Sequence, residues 1–247
     1  MRFLRLLIIW AFVMSCESDS TVGLQSGSGQ AGSMTRFAVA GNHVYLLERS
    51  SIKVFSIADS AFREGETFPI GPGMETIFAN GQYLYLGAND GMYIYSIEDP
   101  ARPSFVFQYQ HVVACDPVVV QGNRAYITMR SGNGCNRAWN ALEIVDISNP
   151  YAPVLIKSYS MSSPHGLAVD GNILFVCEGE YGLKVFDITE EENIVLLENN
   201  EDFFAYDVIA RQGIATVTGN DGIFQFSYRN AQNTVSLLSK IPVSSAD

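Results

Sequence analysis

Glu75, Asp116 and His165 are the side chains with the most chemistry to offer, because each lies six residues before a glycine that opens a Gly-Asn or Gly-Gln pair. Two carboxylates and an imidazole drawn into one ring suit a divalent cation or a small polar ligand. The same offset gives Thr35 ahead of Gly41, and the matching offset near the far end gives Ala205, with Asp207 two residues beyond. A solvated polar channel mouth is the plainer reading of these positions. The sequence contains no phosphate-cradling glycine loop, no zinc-type Cys or His pair and no Gly-x-Ser-x-Gly elbow, and no motif indicates a cofactor. His43, beside Asn42, reads as a turn residue, and His111 as part of a strand or its exit.

Whether those residues share a ring depends on a repeat. The strand-like stretches Ile52–Ile57, Met92–Ile97, Leu142–Ile147, Leu183–Ile188 and Ile223–Tyr228 start 40, 50, 41 and 40 residues apart. The pairs Gly41-Asn42, Gly81-Gln82, Gly122-Asn123, Gly171-Asn172 and a degraded Arg211-Gln212 recur at 40, 41, 49 and 40. A period near 40 with several short strands per unit predicts an all-β fold, a β-propeller of about five four-stranded blades. The repeated strands are apolar at alternate positions on both faces, as Leu142, Ile144 and Val145, Ile147 show, so both faces should be covered. β-branched and aromatic density, with Gly and Asp-Gly punctuation, argues against a helical solenoid. The Asn89-Asp90-Gly91 and Asn220-Asp221-Gly222 segments read as tight turns rather than metal loops.

The pattern is strongest in the third unit, where Gly122-Asn123 and Tyr126 precede Leu142-Glu-Ile-Val-Asp146 and Pro150/Pro153. The second unit carries Tyr85, Gly91 and Pro100/Pro103; the fourth keeps Phe175, Gly182 and Asp187 but has Glu190-Glu191-Glu192 in place of the prolines. This resembles the LVIVD repeat of bacterial propeller-like proteins, over about residues 34–242. Members are mostly surface or secreted proteins without an assigned catalytic set, so the resemblance implies a fold more than a function.

The first residues read differently. Arg2 and Arg5 precede the apolar run Leu6–Met14, and Cys16 follows Ser15, which predicts a lipoprotein signal peptide over 1–15 with lipidation at Cys16. The run is too short to cross a bilayer core, which needs ~20 apolar residues. Residues 16–33 read as a Gly/Ser/Gln-rich tether reaching ~20–25 Å, and 34–247 as the propeller domain. Glu17 and Asp19, just after the cysteine, resemble the surface-export signals of some lipoproteins. Loss of Arg2 and Arg5 takes the net charge from −11 to −13, which excludes nucleic-acid binding by counterion release. The expected address is the outer membrane, on its periplasmic or external side, with membrane contact through the lipid alone.

The loop Arg130–Asn140 between the second and third strands of blade 3 is nine residues longer than its counterparts and holds Arg137 and Trp139. Insertions in repeat proteins fall on the working face, and Trp and Arg are enriched at interface hot spots. Cys115 and Cys135 are expected to pair in an oxidising compartment, with Cys177 a free buried thiol; three reduced cysteines and a Cys115–Cys177 pair are the alternatives. Two functional classes stay open. One is a binding module that meets a protein or small polar ligand through Glu75, Asp116, His165, Arg137 and Trp139; the other is a hydrolase or lyase using the polar ring. Replacing Cys16 by Ser is expected to release the protein from the membrane fraction without unfolding it. Membrane retention equal to the parent's, after fractionation, would exclude the lipid as tether.

Overall fold

A computed structural model of the chain describes residues 32–58, 61–110, 117–131, 140–228 and 234–243. Cys16, the signal segment, most of the tether, His111, Cys115, Asp116, Cys135, Arg137 and Trp139 lie outside the described residues. Among the described residues, twenty strands pair into five four-stranded antiparallel sheets, each built from consecutive strands. Blade 1 comprises β1 (Phe37–Ala40), β2 (His43–Leu47), β3 (Ser51–Ser56) and β4 (Arg63–Pro69). Blade 2 comprises β5 (Met74–Asn80), β6 (Tyr83–Ala88), β7 (Gly91–Ser96) and β8 (Ser104–Gln110). Blade 3 is β9 (Val118–Gln121), β10 (Arg124–Met129), β11 (Ala141–Asp146) and β12 (Val154–Ser160). Blade 4 is β13 (Leu167–Asp170), β14 (Ile173–Cys177), β15 (Leu183–Asp187) and β16 (Val195–Asn200). Blade 5 is β17 (Ala205–Arg211), β18 (Ile214–Gly219), β19 (Gly222–Ser227) and β20 (Ser236–Pro242). Its fourth strand is its own, so among the described residues no strand is shared between the two ends of the array.

The repeated residues build the blades through local hydrogen bonds. Each first turn begins with a residue in the left-handed region: Gly41, Gly81, Gly122 and Gly171 at φ 55° to 65°. In blade 5 that place is taken by Gln212 (φ 53°) followed by Gly213 (φ 84°), so the pair expected at Arg211-Gln212 lies one residue further on. The second turn residue fixes the register of the third strand. The carbonyls of Asn42, Gln82, Asn123, Asn172 and Gly213 accept from the amides of Ile57, Ile97, Ile147, Ile188 and Tyr228 at 2.8–2.9 Å. The aspartate of the repeat closes the next turn: Asp146 Oδ1 accepts from Ser148 N, and Asp187 Oδ1 from Thr189 N, both at 2.8 Å. His43, read as a turn residue, is instead the first residue of β2, paired with Ser56.

Every pairing of third with fourth strand carries a register shift, as at Ile94/Tyr95, Ile144/Val145 and Gln225/Phe226. Such bulges sharpen the twist that lets successive sheets fan around an axis. The inner strands β1, β5, β9, β13 and β17 line an axial channel of about 210 Å³, walled mostly by apolar residues such as Ile77, Val119, Leu167 and Ile209.

Four apolar cores hold the array, between blades 1 and 2, 2 and 3, 3 and 4, and 4 and 5. Blades 2 to 4 are covered on both faces; in blade 3, Ile127 faces one core and Ile144 the other, both fully buried. The terminal blades differ from the expectation that both faces are covered. On the outer face of blade 5, Tyr206, Ile209, Ile214 and Ile223 remain 36–41% exposed, and on blade 1 Phe37 is 48% exposed. No apolar core joins blade 5 to blade 1 among the described residues. Their junction is polar: Asp207 accepts from the Ser33 hydroxyl at 3.0 Å, and Ser33 Oγ accepts from Leu167 N at 2.8 Å. Gly32 and Ser33, read as the end of the tether, are therefore buried against blades 4 and 5.

This asymmetry predicts unequal responses to truncation. Ile144→Ala is expected to cost about 2–5 kcal/mol in urea unfolding, and Ile209→Ala no more than about 1 kcal/mol. Equal losses would mean that the outer face of blade 5 is covered in solution.

Candidate ligand site at the channel mouth

At the end of the channel where the inner strands begin, a cavity of about 290 Å³ is lined by Met34, Arg36, Glu75, Thr76, Pro117, Arg130, Pro164 and His165. The repeat therefore brings Glu75 and His165 together, as their register implies. Pro117 also lines the cavity, while its neighbour Asp116 lies outside the described residues. The predicted ring is incomplete elsewhere. Thr35 turns its hydroxyl to Gly32 O at 2.9 Å, and Ala205 is fully buried in the core between blades 4 and 5. Asp207 serves the junction with Ser33 rather than the cavity. Among the described residues, no group of three His, Cys, Asp or Glu could hold a metal ion.

His165 precedes β13 and is held on every side. Its amide donates to Cys177 O at 2.7 Å and its carbonyl accepts from the Thr128 hydroxyl at 2.6 Å. The ring meets Phe204 edge-on at 5.6 Å. Gly179, in the left-handed region at φ 58°, leaves room for the ring: a Cβ there would come within 2.7 Å of His165 Cε1. His165 Nδ1 lies 2.7 Å from Ser163 O, an acceptor only, so Nδ1 carries the proton. Nε2 is then the acceptor for Arg130 Nη1 at 2.6 Å. Burial, with the Arg130 charge second to it among the effects that lower it, holds the His165 pKa below its ordinary value, in keeping with that neutral tautomer.

Arg130 is the last residue before the blade 3 insertion, whose base is pinned to the same face. Ser131 N and Oγ both donate to Asn140 Oδ1, at 2.8 and 2.9 Å, and Asn140 Nδ2 donates to Ser162 O. Next to it, the fully buried Glu178 accepts from Ser162 N at 2.9 Å and pairs with Lys184. Arg36 reaches in from blade 1, donating to Leu47 O at 3.2 Å and Met74 O at 3.4 Å. The sequence reading missed Arg36, and it counted Arg130 as one of the loop's two arginines, a type enriched at interface hot spots, without placing it among the site residues. Both stand one register step or one loop boundary from a residue it did single out. Cys177 is free and buried, as expected, its thiol pKa pushed up by burial.

The opposite face is internally paired. Arg124 places Nε 2.7 Å from both oxygens of Glu191 and Nη1 3.2 Å from Asp146. The glutamate that stands where the repeat has a proline thus ties blade 4 to blade 3.

The model of the LVIVD repeat matches residues 74–111 and 114–161, which are blades 2 and 3. The chain is a β-propeller that carries LVIVD repeats in two of its blades. No curated protein matches it in sequence. Among solved structures the LVIVD-repeat propeller is similar to the computationally designed Ika8 protein, with a TM-score of 0.60 and 17% identity over 83% of this chain and 60% of that one. It is similar also to a functionally unknown protein from Desulfotomaculum acetoxidans, with a TM-score of 0.70 and 12% identity over 86% and 70% of the two chains. BamB from Moraxella catarrhalis gives a TM-score of 0.55 and 9% identity over 76% and 55%. These likenesses are of fold alone.

The depressed His165 pKa carries a stability signature. Below pH 6.5 the unfolded chain takes up a proton that the folded ring refuses, so this contribution is full above pH 6.5 and is lost as pH falls through the lower folded value. Asp207 has the opposite sign: its pKa is raised by burial, so its contribution is present below 3.8 and lost as pH rises through the folded value. The loss of thermal stability below pH 6.5 is expected to be shallower in His165→Gln than in the parent. Superimposable pH profiles would show that His165 is not held neutral.

Proposed function

We propose that this chain is a lipid-anchored module of the cell envelope that binds its partner at the channel-mouth face of the propeller. The observation that carries this reading is the mouth cavity, where Arg36, Glu75, Arg130 and His165 from four blades converge beside the base of the insertion. The Ser131–Asn140 and Asn140–Ser162 bonds support placing Arg137 and Trp139 over that mouth, and a Cys115–Cys135 disulfide would tie the insertion to Asp116's neighbour. Arg2, Arg5, the run Leu6–Met14 and Cys16 support export and lipidation at the outer membrane.

A comparison of variants on the two faces tests the reading. Cross-linking in intact cells, followed by affinity isolation, is expected to recover a discrete partner with the parent and with Glu190→Ala, on the opposite face. Asp116→Asn and Trp139→Ala should each reduce recovery, with the unfolding midpoint little changed. Recovery lost with Glu190→Ala and kept with both mouth variants would move the site to the other face.

A further inference from the structure

We propose that the mouth cavity binds an oxyanion, the carboxylate or phosphate group of a small polar molecule, between the guanidinium groups of Arg36 and Arg130. This rests on the reading of the mouth as the working face and specifies its chemistry. The first observation is how the cations are partnered. Arg102, Arg124, Lys53, Lys184 and Lys240 each sit against a carboxylate. Arg36 and Arg130 have no carboxylate partner among the described residues; the exposed Arg49, Arg63, Lys157 and Arg211 lack one too, and what sets Arg36 and Arg130 apart is that they line the mouth cavity. Among the described residues Arg36 donates to two main-chain carbonyls, and Arg130 to the neutral imidazole of His165. These three bonds orient the two forks without neutralising them, and most of the N–H donors of both groups have no partner among the described residues.

The second observation is the cavity itself. Both arginines line it, and its volume of about 290 Å³ falls at the lower end of the range for small-molecule sites. A carboxylate or phosphate matches the guanidinium fork through paired, charge-assisted hydrogen bonds, which are about twice as strong as neutral ones. Glu75, on the same wall, would accept from hydroxyl or ammonium groups elsewhere on the ligand. The net charge of −11 does not forbid an anion here, because charges on the far side lie beyond the Debye length of about 8 Å at physiological salt. His165 is a positioning residue in this arrangement, since its Nε2 fixes where Arg130 points.

Calorimetric titration of the folded protein with L-malate and, separately, with inorganic phosphate tests the inference. At least one is expected to bind with a Kd of about 1 mM or tighter, and the tighter arm identifies carboxylate or phosphate as the recognised group. Arg130→Gln and Arg36→Gln should each weaken that probe about tenfold or more, and Arg130→Lys should fall between. Glu190→Gln, on the opposite face, should bind as the parent does, and unfolding midpoints confirm that each variant is folded. Absence of binding in both arms, or binding unchanged in both glutamine variants, overturns the inference. If that happens while Asp116→Asn and Trp139→Ala still lose the envelope partner, the mouth is the working face by other chemistry; if they keep it, both readings fail.

Discussion

A sheet with apolar side chains on both faces is stable only between two neighbours, and that requirement governs the whole molecule. Ile127 and Ile144 of blade 3 illustrate it, each fully buried and each facing a different core. Side chains of that size contribute about 1.5–3 kcal/mol apiece when removed from water. Stacking therefore supplies most of what the short strands cannot supply alone. It also fixes where the first strand of each blade starts, and so which side chains meet around the axis. The mouth cavity follows from this stacking: Glu75 and His165 stand in equivalent positions of blades 2 and 4, and Arg130 directly follows the second strand of the blade between them.

The same requirement accounts for the junction between blades 5 and 1. Four cores tie five blades, the isoleucines on the outer face of blade 5 stay partly exposed, and the segment leading into blade 1 is tied to blades 5 and 4 through Ser33, Asp207 and Leu167 N. A carboxylate enclosed beside Gly32 and Gly166 leaves no room there for a larger side chain. Closure by hydrogen bonds is directional and short in reach, whereas the interblade cores are broad. The two kinds of contact give the array a strong interior and one weaker junction.

Much of the fold was legible because the repeat acts locally. A left-handed glycine, an aspartate that closes a turn and an isoleucine amide that reaches back are all within one hairpin, so their spacing survives in the sequence. Blade 5 was misregistered by one residue because Gln212 adopts a backbone angle usually left to glycine. Glu75 and His165 were legible from register alone. Arg36 and Arg130 were not, since nothing in spacing tells which cations lack a carboxylate; that depends on where Glu191, Glu178 and Asp221 fall in space. The exposed isoleucines of blade 5 were equally hidden, because Ile209, Ile214 and Ile223 alternate just as covered positions do.

Each blade forms all four of its strands from one continuous stretch of chain, including β20 at the end of the array. Propellers that borrow a strand from the opposite terminus tie their number of blades to that pairing. Here a unit of about 40 residues could be duplicated or lost by recombination without breaking a single interstrand ladder. What such an event would alter is the wedge between the first and last sheets, and with it the diameter of the axial channel. The architecture is therefore adjustable in whole steps, and the sequence drift of individual units need not disturb their count.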